Sequence, residues 1–402
     1  MSEKDAIIKA DVKAHFWRYF LPLLFVGLIN NNGYVLVGTK AQELAKSFHQ
    51  EKFMAAFQFM LIFFNLFIRV SNMKYFIKFK HTSRIIVNTI VLMAAYTIIA
   101  ITSRYESITA FVFALIASSL MGGGSCFGES TVLGYLKGFP AEVVVGWSSG
   151  TGFAGVFGAG ISILLKLKLN TFYLCLGCLP LCLLYLGLFF LIVHRKNKLL
   201  ADATDETKPL TNDPNSSNEA KFNDSLTWVN IKAVMPKIYF VCINLASVYF
   251  LEYSIMTAFG DHTTKVLKKV DDNYNSFLVE NAYMFICLSY QIGVVISRSS
   301  LKLIKVKKVQ IITLLQYINW CLWLLEAFNI IVTNYYILFA HMVFVGLMGG
   351  CQYVNVMFQI LNSDDLNINQ KELAINITTF FDDIGITLSS VLSIIFASIM
   401  KV

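Results

Sequence analysis

The sequence predicts an all-α polytopic membrane protein with about eleven transmembrane helices, six before and five after a hydrophilic middle. Three observations predict it. Only 14% of the 402 residues are charged and 56% are hydrophobic, with a mean hydropathy of +0.62, whereas a soluble domain carries about 25% charged residues. Apolar runs near the ~20 residues that a bilayer core requires recur along the chain. One long polar stretch, 194–235, divides them. These features exclude a water-soluble globule, a disordered chain and a disulfide scaffold.

Residues 1–15 are polar and form an expected cytosolic tail. The apolar run that follows is too long for the core of a cleavable signal, so it stays as the first span. Spans are expected at about 16–38, 53–70, 85–101, 108–136, 147–165 and 171–193, which defines an N-terminal six-helix bundle over 16–193. The stretch 194–235 has no apolar period and reads as a mobile cytosolic linker. Spans at about 236–258, 277–297, 310–332, 335–361 and 373–399 give a C-terminal five-helix bundle over 236–402. The fourth, tenth and eleventh are long enough to be tilted or interrupted.

Charge placement orients the chain. With the N-terminus in the cytosol, 22 Lys and Arg fall in cytosolic segments and 10 in lumenal ones. That bias puts the C-terminus in the lumen. The net charge of +8 implies no nucleic-acid partner. All eight cysteines lie in apolar runs and read as small buried residues rather than bridges.

An internal echo adds architecture. Leu120-Met121-Gly122-Gly123 in the fourth span recurs as Leu347-Met348-Gly349-Gly350 in the fourth span after the linker. Two repeats related about the membrane normal are the major-facilitator plan, here lacking a last helix. Interrupted glycine-rich segments in both halves also point to a binding site near the midplane. Gly146, Gly150, Ala154, Gly158 and Ser162, with Gly152 beside them, make a row of small residues suited to close helix packing or to a sliding surface.

Ionisable groups inside the spans carry the functional argument, because a central carboxylate costs about 2.5–3.5 kcal/mol on insertion scales. Glu129 and Glu252 are candidates for substrate or proton handling, with a structural hydrogen bond or a buried bridge as the alternative. Asp382 is preferred to Asp383, since adjacent residues do not share a helix face. Its alternative is the capping of a break near Gly385. Arg69 and Arg298 sit at cytosolic span ends, where snorkelling anchors are the default. Arg298, preceded by Gln291 and Ser297, is the more interesting, because an anionic ligand would need such a cation. Asn30, Asn31 and Asn32 place three amides in the first span, where they must find partners. Glu280 and Glu326 read as interfacial. His341 reads as a buried histidine or a proton relay.

No cofactor, metal site or catalytic constellation is expected. Gly146-Trp147-Ser148-Ser149-Gly150 fits the pattern of a hydrolase elbow, but it opens a membrane helix instead of joining strand to helix. Cys175 and Cys178 lack a second ligand pair. The chain is read as a non-enzyme.

Several stretches together resemble the battenin family of lysosomal membrane proteins. They are Asn31-Asn32, Gly128-Glu129, Trp147-Ser148-Ser149-Gly150-Thr151-Gly152, Glu252-Tyr253, Ser297-Arg298-Ser299-Ser300, Gly349-Gly350 with Tyr353-Val354-Asn355, and Asp382 with Gly385-Ile386. The resemblance runs in order over about 30–390. It implies a multi-pass lysosomal or vacuolar protein with a major-facilitator-like fold and no enzyme activity. It also implies release of glycerophosphodiesters and roles in lumenal pH and basic amino-acid balance, and it adds Asn355 to the candidate site. A prenylation box found in some members is absent, and the linker carries at best a degenerate acidic-leucine sorting signal. The expected function is therefore secondary transport of a small polar solute, with membrane lipid as the surrounding partner. The competing reading is a non-transporting scaffold that binds trafficking proteins through 194–235.

Overall fold

The computed structural model describes residues 3–50, 53–165, 170–206, 227–270, 277–302 and 304–400. These are almost entirely helical. The helices are α1 (Glu3–Ala14), α2 (Phe16–Ser47), α3 (Met54–Phe63), α4 (Asn65–Lys74), α5 (His81–Thr102), α6 (Ile108–Leu136), α7 (Val144–Leu165) and α8 (Thr171–Glu206), then α9 (Trp228–Ser254), α10 (Asp261–Val270), α11 (Phe277–Glu280), α12 (Ala282–Ser299), α13 (Val309–Asn329), α14 (Tyr335–Leu361) and α15 (Ile368–Met400). Helical rods occupy all eleven expected positions. Among the described residues, nine are long and apolar enough to cross a membrane.

Local chemistry sets several ends. The side chains of Ser107, Thr227 and Asn334 accept backbone N–H groups at the starts of α6, α9 and α14, which satisfies donors that the first turn leaves free. At the end of α13, Ile330 takes the left-handed conformation at φ 45°. The carboxylate of Glu326 accepts the N–H groups of Ile331 at 3.1 Å and Val332 at 3.0 Å. Glu326 is thus a buried cap near the end of its helix.

The exterior is apolar and much of the interior is polar, as a bilayer demands. Phe67, Leu183, Leu388 and Ile395 face outward, while Asn30, Arg69, Arg84 and Glu372 are buried.

The two halves repeat one packing plan. α2 packs on α7 and α9 packs on α15, the first and fifth rods of each half. The glycine echo acquires a meaning here. Gly122 abuts the carbonyl of Leu61 in the second rod of its half, and Gly350 abuts Val294 in the second rod of the other. The halves meet where α7 packs on α12 and where α3, α4 and α6 pack on α15.

Two expectations need correction. The glycine-rich segments of α6 and α14 are continuous helix, as is α15 through Gly385. Glycine here serves close approach between helices, which a lipid-embedded helix tolerates because its own backbone bonds stay intact. The irregularities fall elsewhere, at Phe64 between α3 and α4, and in a π-helical turn at Ile255–Gly260 that continues α9 into α10. The row Gly146, Gly150, Gly158 packs on α2, within its own half, which is the close helix packing its spacing suggested. Finally, helix occupies both ends of the 194–235 stretch, since α8 runs to Glu206 and α9 begins at Trp228. Residues 207–226, where about half of the expected linker and most of its sorting signal fall, lie outside the described residues.

Candidate functional site

Arg69 sits on α4, one turn and a half before that helix ends. It is buried, not snorkelling. Its Nε donates to Oδ2 of Asp383 on α15 at 2.6 Å, its Nη2 to Oε2 of Glu129 on α6 at 2.6 Å, and its Nη1 to Ser130 at 2.8 Å. Asn65, one helical turn earlier on α4, donates to the other oxygen of Asp383 at 3.3 Å. Burying such ions is expensive, and the arrangement holds because each charge is both paired and hydrogen-bonded.

The network continues through Glu129. Tyr353 of α14 donates its hydroxyl to Oε1 of Glu129 at 2.6 Å. The guanidinium of Arg298 lies 4.3 Å from the centre of the Tyr353 ring, a cation–π geometry. Arg298 Nη1 donates to Oγ1 of Thr151 on α7 at 2.6 Å, and Nη2 to the hydroxyl of Tyr249 on α9 at 3.3 Å. Its Nε has no hydrogen-bond partner. None of these partners is a carboxylate. Thr151 and Arg298 belong to the two most specific stretches of the family resemblance, so those stretches touch across the halves. Gly152 and Gly155 open the space, lying against Val295 and Gln291 of α12.

A second ionic cluster joins the halves eleven residues further back along α15. Glu372 accepts from Arg84 at 2.9 Å and from Lys137 at 2.8 Å, with His81 at 3.5 Å. Asn72 donates to Asn376 at 3.0 Å and accepts from Arg84 at 3.1 Å. From Glu372 to Asp383 the rise along the helix is about 16 Å. The interhalf polar contacts described here thus form a seam over roughly half a bilayer core.

The candidate residues therefore divide. Glu129, Arg298, Asp382 and, on its edge, Gln291 are on or beside the seam. Asp382 is buried, and one of its oxygens accepts the N–H of Asp383 at 2.9 Å. Adjacent residues indeed point differently, but it is Asp383 that reaches Arg69. Glu252 stands apart. It is buried on α9, accepts from Tyr290 at 2.9 Å and leaves Oε2 without a partner, close against Gly349. Asn31 accepts from Asn30 at 2.9 Å and from Ser125 at 3.1 Å, whereas Asn32 donates to Tyr96 at 3.1 Å, deep in the N-terminal half. Asn355 fastens a loop, accepting the N–H of Val306 at 2.8 Å. Gly123 faces Ile68 within its own half. His341 is stacked on Trp323 and lies 3.3 Å from Asn319, in the C-terminal half. Among the described residues no group of His, Cys, Asp or Glu could hold a metal ion.

Sequence reasoning missed Asp383, Glu372, Arg84 and Tyr353 as seam residues. Glu372 and Arg84 fall in the polar segments between expected spans, and Arg69 read as an anchor at a span end.

Two related helical halves that meet along a polar seam define a polytopic membrane protein of the major-facilitator-like class. Two solved structures share that fold over most of the chain. A bacterial homologue of the iron transporter ferroportin in an outward-facing state matches with a TM-score of 0.55 at 13% identity, over 96% of this chain and 93% of that one. A bacterial homologue of the human lysosomal transporter Spinster, in an inward-facing state, matches with a TM-score of 0.51 at 11% identity, over 95% and 83%. The family is more definite. The model of the CLN3 protein family matches residues 16–400, and battenin of Dictyostelium discoideum is 33% identical over 400 residues, 93% of each chain. The chain belongs to the CLN3, or battenin, family.

Proposed function

We propose that the chain is a secondary transporter that moves a small polar, anionic organic solute out of a lysosome or vacuole, with its N-terminus in the cytosol and its C-terminus in the lumen. The family resemblance favours a glycerophosphodiester as that solute, and it favours effects on lumenal pH and basic amino acids as consequences of transport. The observation that carries the reading is Arg298. It is a guanidinium at the junction of the halves, held by two hydroxyls and an aromatic face, with one N–H unused. Such a group can bind a phosphodiester oxygen without first breaking an ion pair.

The seam supplies the gate. In the proposed orientation, Glu372 and its three basic partners close the cytosolic end. Glu129 and Asp383 hold Arg69 at mid-depth. Alternating access then requires the seam to open toward the cytosol while contacts form on the lumenal side. Glu129 couples the two events, because it binds Arg69 with one oxygen and Tyr353 beneath Arg298 with the other.

Purified protein in vesicles should carry a glycerophosphodiester down its gradient when an inward-acid pH difference is imposed. Absence of flux for this solute and for a panel of other small anions, from protein that is folded and correctly inserted, would refute the proposal.

A further inference from the structure

One large cavity among the described residues is not on the seam. It is a groove of about 740 Å³ on the outer face of the N-terminal half, between α3–α4, α5 and α6. Its walls are Phe64, Ile68, Phe76, Phe79, Val87 and Ile116, and its surface is almost wholly apolar. Two features of the chain create it. The break at Phe64 offsets α4 from α3, and Gly123 and Gly124 leave α6 without side chains along the floor. A groove of this kind on a membrane-facing surface fits an acyl chain.

Its polar end is specific. Arg84 and Asn88 also line it. Both are buried, at 2% and 1% exposure, and Arg84 Nε and Asn88 Oδ1 have no hydrogen-bond partner. Lys74, Lys78 and Lys80 are exposed in the turn that carries Phe76 and Phe79. No Asp or Glu occurs between Glu51 and Glu106. The groove therefore ends in a strongly basic rim with no compensating acid from its own segment.

We infer that this groove binds one anionic phospholipid of the cytosolic leaflet, its acyl chain against Phe64, Ile68 and Ile116 and its headgroup among Lys74, Lys78 and Lys80. The leaflet follows from the orientation proposed above, and anionic lipid is enriched there. The site differs in ligand and position from the seam. It touches the seam at one residue, because Arg84 both lines the groove and pairs with Glu372.

Native mass spectrometry of the full chain in mild detergent tests the site, using phosphatidylglycerol and phosphatidylcholine of equal chain length as probes. The intact protein should retain one phosphatidylglycerol with about tenfold preference. Ile116→Trp, which fills the groove from its wall, should lose that lipid. Lys74→Gln with Lys78→Gln and Lys80→Gln should retain a lipid but lose the preference for the anion. A thermal melt on each variant confirms that it is folded. Equal retention of both lipids by the unaltered chain would overturn the inference. So would unchanged phosphatidylglycerol retention by a folded Ile116→Trp variant, since the bound molecules would then be a non-specific annulus only.

Discussion

Arg69 and Arg298 lie on the same seam between the halves, and they are held in opposite ways. Arg69 faces two carboxylates and a serine, each bonded to a different nitrogen. Arg298 faces a threonine, two tyrosines and no carboxylate. The first arrangement satisfies a buried charge completely and leaves nothing for a ligand. The second holds its guanidinium by neutral groups, with no carboxylate in direct contact and its Nε without a partner. The difference separates a residue that ties the halves together from one that fits the proposed role of binding an anionic solute.

The largest expected effect is at Arg69. Replacing it by Leu leaves Glu129 and Asp383 buried without a cation, and removal of one partner of a buried pair costs about 3–5 kcal/mol. The buried free cysteines allow unfolding to be followed with a thiol-reactive dye. Arg69→Leu should unfold at much lower temperature and accumulate poorly. Adding Glu129→Gln and Asp383→Asn should restore a good part of the loss, because the uncompensated charges are then gone. If Arg69→Leu melts like the unaltered chain, the pairing is incidental and the comparison fails.

Arg298→Ala should behave in the reverse sense. Its partners are neutral, and Thr151 and Tyr249 keep other surroundings when it leaves. Abundance and melting temperature should stay close to those of the unaltered chain, while flux of an anionic solute falls by about 10- to 100-fold, the loss of one or two charge-assisted hydrogen bonds. Arg298→Lys should recover only part of it, since an ammonium cannot present the planar fork. A variant that loses stability and flux together would place Arg298 with Arg69, as a structural tie.

The sequence made this contrast only half visible. Span positions were legible because ~20-residue apolar runs have a single physical cause, and α6 and α14 begin and end where those runs do. Glu129 stood out as a charge in apolar surroundings, and Arg298, also at a span end, through the polar Gln291 and Ser297 before it. Arg69 looked ordinary because it lies near a span end, where long basic side chains usually reach water. What buries it is Asp383, more than 300 residues away, and no local pattern encodes that approach. The same holds for Glu372, which lies among polar loop residues in the sequence and against Arg84 and Lys137 in the fold. The glycine echo was legible as a repeat but suggested broken helices. Its role in close packing depends on which helix lies opposite, and that is tertiary information.

Tyr353 is where the two arginines communicate, and it gives the smallest and most discriminating test. Its hydroxyl donates to Glu129, a ligand of Arg69, and its ring lies under Arg298. Tyr353→Phe removes the hydroxyl bond and keeps the ring, so Arg298 stays supported while Glu129 loses one partner. Flux should fall by about fivefold, roughly the 1 kcal/mol of one hydrogen bond, with a small decrease in melting temperature. Tyr353→Leu removes the aromatic face as well and should cost a further step in flux but little further stability. If the two variants are equal in transport, the ring does not position Arg298. If Tyr353→Phe leaves transport intact, Glu129 senses only Arg69, and the two arginines act as separate devices on one seam.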